Sequence, residues 1–188
     1  MSTAHAEATL FGDALACEDT LRAAFLPQPV DPMAWDALCA RAEIHLSAIA
    51  IIEDSRNEEE EGAQGLALRR IEAKLDLLLT LVGGLGANAT HDPPLPVRWS
   101  AQGACLPVAA SVEAGQTGLF RVQAATWLPE PLTLPARVIE TAADAAAGKL
   151  AWLAFEPLPD ATRSALERHL FRQHRRAVAG RRAAREVG

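Results

Sequence analysis

Leu68, Ile71, Leu75, Leu78, Val82 and Leu85 recur at alternating steps of three and four residues, and that rhythm constrains the chain more than any other feature. It lays one apolar seam along a helix, the pattern by which helices turn toward one another in a coiled coil. Leu79 and Leu81 fall beside the seam and widen the apolar face beyond what two strands of a coil require, so the spacing predicts a bundle of more than two helices. Burying each seam residue is worth about 1.5–3 kcal/mol, enough in sum to drive self-association. The plainer alternative is that these helices pack on the chain's own core. Gly83, Gly84 and Gly86 weaken and end the helix.

A second helix precedes the seam. Asp31 followed by Pro32 places a side-chain acceptor at the N-cap and a ring at the first helical position, where no hydrogen bond is lost. Trp35, Leu38, Cys39, Ala42, Leu46 and Ile49 then form one stripe that reaches about Ile52. The run Glu58 to Glu61 reads as a connection or as the acidic first turn of the next helix. Upstream, residues 8 to 26 give neither a helical nor a strand period.

Pro93, Pro94 and Pro96 mark a linker into a unit of different texture. Short alternating segments follow at 95–99, 104–109, 118–127, 132–139 and 150–155, punctuated by glycine and proline. They predict a small antiparallel barrel or sandwich. Asp160 is expected to cap a last helix in which Leu166, Leu170, Ala177 and Val178 share a face opposite most of the arginines.

Composition bears on what the chain does. The formal net charge of -6 is split into an acidic first half and an arginine-rich end. No aromatic-plus-basic surface accompanies those arginines, which argues against nucleic-acid reading. Cys17, Cys39 and Cys105 are unpaired in spacing and set among apolar residues, as expected of buried thiols in a reducing, cytoplasmic setting. No run of residues is long and apolar enough for a membrane helix. The serines lack a GxSxG context, and the histidines lack HExxH or cysteine-paired spacing. Neither a nucleophile elbow nor a metal site is therefore expected.

The run Ile71-Glu72-Ala73-Lys74-Leu75-Asp76-Leu77-Leu78-Leu79, the proline-rich linker, and Val97-Arg98-Trp99-Ser100-Ala101-Gln102-Gly103 resemble, in that order, proteobacterial PilZ proteins in which a helical segment precedes the barrel. Leu166 to Arg176 resembles the family's closing helix. The resemblance implies an atypical PilZ domain of the tetrameric type. It also implies the strand count, about six. Typical members bind cyclic di-GMP through RxxxR before the first barrel strand and [DN]xSxxG along it. Here Ser100 and Gly103 match, but Arg98 stands where Asp or Asn is expected, and Gly86 to Val97 contains no arginine. A guanidinium carries only donors and cannot receive the guanine N–H groups. Losing two charge-assisted arginine contacts weakens binding roughly a hundred- to ten-thousand-fold. The RxxxR strings at Arg168/Arg172, Arg172/Arg176 and Arg181/Arg185 follow the barrel instead.

The resulting expectation is an α+β chain: a six-stranded antiparallel PilZ-like barrel with a C-terminal helix, preceded by long coiled-coil or bundle helices. Residues 1–30 form an N-terminal segment able to add one strand to the barrel, 31–86 the self-associating helices, 87–94 the linker, and 95–188 the barrel and its helix. The expected role is a non-catalytic, cytoplasmic oligomeric adaptor linked to cyclic di-GMP regulation. It takes no cofactor, and its Arg98, Ser100, Gly103 motif is non-functional for the nucleotide. The seam Leu68, Ile71, Leu75, Leu78, Val82 and Leu85 makes a homotetramer, with a dimer second, and a protein partner is unidentified. Two alternatives stay open: a genuine cyclic di-GMP receptor with a displaced site, and a nucleic-acid-associated coiled-coil protein using the basic C-terminal helix.

Overall fold

The computed structural model describes residues 2–29, 31–54, 71, 73–75, 77–78, 92–128, 130–155 and 157–186. Its elements are α1 (Thr3–Phe11), β1 (Cys17–Pro27), α2 (Pro32–Asp54), β2 (Pro94–Trp99), β3 (Gly103–Pro107), β4 (Thr117–Val122), β5 (Leu132–Asp144), β6 (Gly148–Ala154) and α3 (Asp160–Glu186). Six antiparallel strands close a barrel in the order β1-β2-β3-β6-β5-β4. The fold class is thus α+β, a six-stranded barrel with a C-terminal helix and further helices.

The sixth strand comes from the stretch that shows no clean period. Residues 8 to 26 hold the end of α1 and most of β1, so two kinds of element share one ambiguous run. β1 is the closing stave: its first half pairs β2, with Glu18 opposite Arg98, and its second half pairs β4, with Phe25 opposite Phe120. The barrel therefore draws a strand from well before the proline-rich linker. Closure leaves no open edge to recruit other chains.

Alternate residues along the strands point inward. Val97 and Trp99 of β2, Ala104 and Leu106 of β3, Phe120 and Val122 of β4, and Leu134 and Val138 of β5 are all buried in one core. Trp99 and Phe120 sit 6.3 Å apart between ring centroids, and Phe120 meets Phe155 at 5.4 Å. β4 stops at Val122 and not at Trp127, where residues 124–127 bend away. β5 runs on past Ile139 to Asp144 by way of a bulge at Val138/Glu140, where one strand carries an extra residue.

The α2 start follows the local chemistry: the Met33 N–H donates to the Asp31 carboxylate at 2.9 Å. Its stripe of Cys39, Ala42, Leu46 and Ile49 is buried in the chain's own core, against α3 and β5. For α2 the intramolecular alternative is what the structure contains. The Thr162 hydroxyl donates to the Cys39 carbonyl at 3.3 Å, and Arg176 pairs with Glu53 at 2.8 Å, tying α3 to α2. Asp160 lies inside the first turn of α3 and not at its cap; the Arg163 N–H donates to the Pro159 carbonyl at 2.9 Å. Leu166 and Leu170 enter the core, while Ala177 is exposed and Val178 half-buried.

Ile71, Ala73, Lys74, Leu75, Leu77 and Leu78 are helical. Ile71, Leu75 and Leu78 are 55%, 53% and 56% exposed, whereas Ala73 and Leu77 are 4% and 9% exposed. At 100° per residue these two sets lie on opposite sides of one helix. Leu77 joins the main core. Leu68, Val82, Leu85, the glutamate run 58–61 and residues 87–91 lie outside the described residues.

Candidate functional site

The barrel's outer face carries a row of side chains set by strand register. Glu18 of β1 faces Arg98 of β2, Arg98 faces Cys105 of β3, and Cys105 faces Trp152 of β6. Directly opposed residues in antiparallel pairs project from the same side of the sheet. Since Val97 and Trp99 point inward, Arg98 must point out.

Ser100 and Gly103 form the turn that leaves this row. The Ser100 N–H donates to the Gly103 carbonyl at 2.8 Å, and the Ser100 hydroxyl receives the Gln102 N–H at 3.0 Å. Gly103 has no room for a side chain: an added Cβ would lie 2.1 Å from the Leu153 carbonyl oxygen and 2.7 Å from Leu10 Cδ2.

Helix α1 lies over this row, a placement that sequence reasoning missed. Ser2 caps it, accepting the His5 N–H at 3.4 Å, and alanines favour the helix that follows. Glu7 Oε2 pairs with Arg98 at 2.7 Å, and the Trp152 indole N–H donates to Glu7 Oε1 at 2.8 Å. Glu18 supplies a second carboxylate to Arg98 at 3.2 Å, and the guanidinium lies 4.4 Å from the centre of the Phe11 ring. The Ser100 hydroxyl donates to the Leu10 carbonyl at 2.6 Å, satisfying an acceptor in the last turn of α1. Ala6, Leu10, Phe11 and Trp152 close a small apolar cluster of their own. The only advance signals were the serine cap and the alanine-rich run behind it.

All three motif positions thus touch α1. Arg98 is engaged by two carboxylates, Ser100 by a carbonyl, and Gly103 by Leu10. Burial, with Glu7 nearby, pushes the Cys105 thiol beneath them up to about 12. Cys39 is raised to about 11, chiefly by burial. All three cysteines are free. Among the described residues no cluster of ligands suits a metal ion, and no helix is long and apolar enough to cross a membrane.

A cavity of about 460 Å³ opens beside the same turn, between the α1–β1 connection and α3. Ala101 and Gln102 form one wall; Leu15 and Phe171 give apolar lining; Arg163 and Arg168 stand beside Asp13 and Glu167. Of the post-barrel RxxxR arginines, Arg176 is held by Glu53, and Arg168 reaches this cavity.

Two buried histidines mark the helix contacts. His169 of α3 stands edge-on to Trp99 at 5.8 Å, and neither ring nitrogen has a hydrogen-bond partner among the described residues. Burial lowers its pKa to about 4, with Arg172 and Arg176 adding to the fall and Glu53 opposing it. His45 of α2 lies 3.9 Å from Glu130 and is also lowered, by burial first.

A closed antiparallel barrel with a serine–glycine turn leaving β2 and a long C-terminal helix defines a PilZ-like barrel protein. Residues 46–183 match the family described as "Atypical PilZ domain, cyclic di-GMP receptor", and the chain belongs to that family. A solved protein of Xanthomonas campestris, described as a tetrameric PilZ domain self-assembled via an unusual helical bundle, is similar to it. That likeness is 39% in sequence identity, with a TM-score of 0.74 over 94% of this chain and 97% of that one. The PilZ domain of YcgR from Escherichia coli, solved with c-di-GMP, is 16% identical over 47% of this chain and 78% of that one. Its TM-score of 0.33 is too low to carry a site across. A search of curated proteins returns no match.

Proposed function

We propose that this chain is a non-catalytic signalling adaptor that works as a homotetramer and does not hold cyclic di-GMP on its Arg98, Ser100, Gly103 turn. What supports the assembly is the division of one helix into two faces. Ala73 and Leu77 are spent inside the chain, while Ile71, Leu75 and Leu78 present more than half of their surface. An apolar face of that kind is costly in water unless another surface covers it. The Xanthomonas campestris protein is tetrameric through a helical bundle, and the seam here suits the same use. Presentation in several copies would raise the avidity of the assembly for its partner.

The case against the usual nucleotide mode is chemical. Arg98 offers donors where an acceptor is wanted and is paired by Glu7 and Glu18. A receptor with a displaced site is the second reading, favoured by the cavity holding Arg163 and Arg168 beside Gln102.

Light scattering tests the assembly. The wild-type chain should give the mass of four copies, and Leu75→Glu with Leu78→Glu should give one copy with an unchanged near-ultraviolet spectrum. A monomeric wild type, or an unchanged mass in the variant, refutes the seam. Calorimetric titration with cyclic di-GMP should show no micromolar binding. Micromolar binding lost in Arg168→Ala would favour the displaced site instead.

A further inference from the structure

α1 is held on the barrel by contacts with β2, β3, β5 and β6. A single carboxylate, Glu7, is gripped from two strands, by Arg98 of β2 at 2.7 Å and by Trp152 of β6 at 2.8 Å. One turn further on, Leu10 fills the space that Gly103 leaves open, and Phe11 lies against the Arg98 guanidinium. The Ser100 hydroxyl then takes the Leu10 carbonyl. The face therefore recognises a carboxylate, then a leucine and an aromatic ring three and four residues later, on a helix that ends there.

α1 is suited to leave. Its nine residues are too few to keep a helix in water without packing. Its apolar cluster with Trp152 is separate from the main core, so undocking does not open the barrel. Local release of this kind is expected of a short segment whose apolar contacts lie outside the main core. A short tether gives the cis helix an effective concentration on the order of millimolar, which a partner must exceed.

We propose that the outer face of β2, β3, β5 and β6 is a docking site for a partner protein's helix bearing a glutamate one turn ahead of a leucine–aromatic pair, and that α1 is its built-in competitor. Charge complementarity selects this occupant: Arg98 is the cationic end of the site and already draws Glu7 and Glu18. The arginine that spoils the nucleotide motif is the residue that reads the helix.

The probe is a fluorescent peptide with the sequence of residues 2–13. It is titrated into the full-length wild-type chain and into full-length Glu7→Lys, Leu10→Asp, which cannot seat its own α1. The peptide should bind the variant saturably and at least tenfold more tightly than the wild type. Adding Arg98→Glu should abolish binding, and a peptide carrying Glu7→Lys should restore it. Equal affinity for wild type and variant, or indifference to Arg98→Glu, overturns the proposal. So does displacement of the peptide by micromolar cyclic di-GMP, which would make the face a nucleotide site. Displacement by unlabelled wild-type chain equimolar with the variant, too little to take up the peptide itself, would overturn it too, by assigning the face to a second copy. Hydrogen exchange on the wild type is a check free of mutation. The α1 amides should exchange at least tenfold faster than those of β2 and β3, and equal protection overturns the competitor role. Loss of the tetramer in light scattering leaves these outcomes unaffected, so the two proposals fail separately.

Discussion

Lowering the pH from about 7 to about 4 charges His169 in the unfolded chain before it does so in the folded one. The perturbation is specific because the ring is buried against Trp99 and among Arg172, Arg176 and Glu53. Burial, the largest cause, holds the folded pKa at about 4 against an ordinary value of 6.5. The folded state thus binds fewer protons between those values, and stability falls as pH falls through that window. At about 1.4 kcal/mol per pKa unit, the loss approaches 3 kcal/mol by pH 4. It is absent above the unfolded pKa, so the effect should be negligible at neutral pH. Urea unfolding at several pH values, at one protein concentration, reads it out when wild type is compared with His169→Leu. The wild type should lose about 3 kcal/mol more than the variant across this range. Groups common to both proteins, including His45, cancel in the comparison. Parallel stability curves for the two proteins would refute the assignment.

Gly103→Ala drives a methyl group against the Leu153 carbonyl, 2.1 Å from where Cβ would lie. Thermal unfolding should show a loss of at least about 1–3 kcal/mol, the ordinary cost of overpacking, and a neutral result would contradict the close approach of β3 to β6. Leu46→Ala empties a site in the chain's own core, so it should cost about 2–5 kcal/mol in stability. Light scattering should find its copy number unchanged at low denaturant. Disassembly without destabilisation would instead move α2 into the interface between copies.

Where the backbone answers to its nearest neighbours, the residues declare the structure. Asp31 and Pro32 announce α2 because a carboxylate and a ring act within one turn, and the Met33 N–H is found on that carboxylate. The alternation along 95–99, 118–127 and 132–139 shows the inward face of the strands for the same reason, although β4 ends at Val122 and β5 runs on to Asp144. The Arg98, Ser100, Gly103 pattern was legible as a departure from the nucleotide motif. Its contacts were not, since Glu7 is far from Arg98 in sequence and no periodicity links them.

Sequence alone was enough to place the start of α2 and the short alternating strands between residues 95 and 155, and it raised the expectation of a seam from Leu68 to Leu85, of which Ile71, Leu75 and Leu78 are exposed. Tertiary structure alone decided that β1 closes the barrel, that the stripe of α2 is consumed internally, and that α1 covers the motif. Periodicity reports which residues share a face, because hydrogen bonds within a turn or along a strand repeat locally. It does not report what that face will meet. That choice is made by pairings across long stretches of chain, where apolar surfaces of equal hydrophobicity compete and only shape and charge, such as Arg98 against Glu7, separate them.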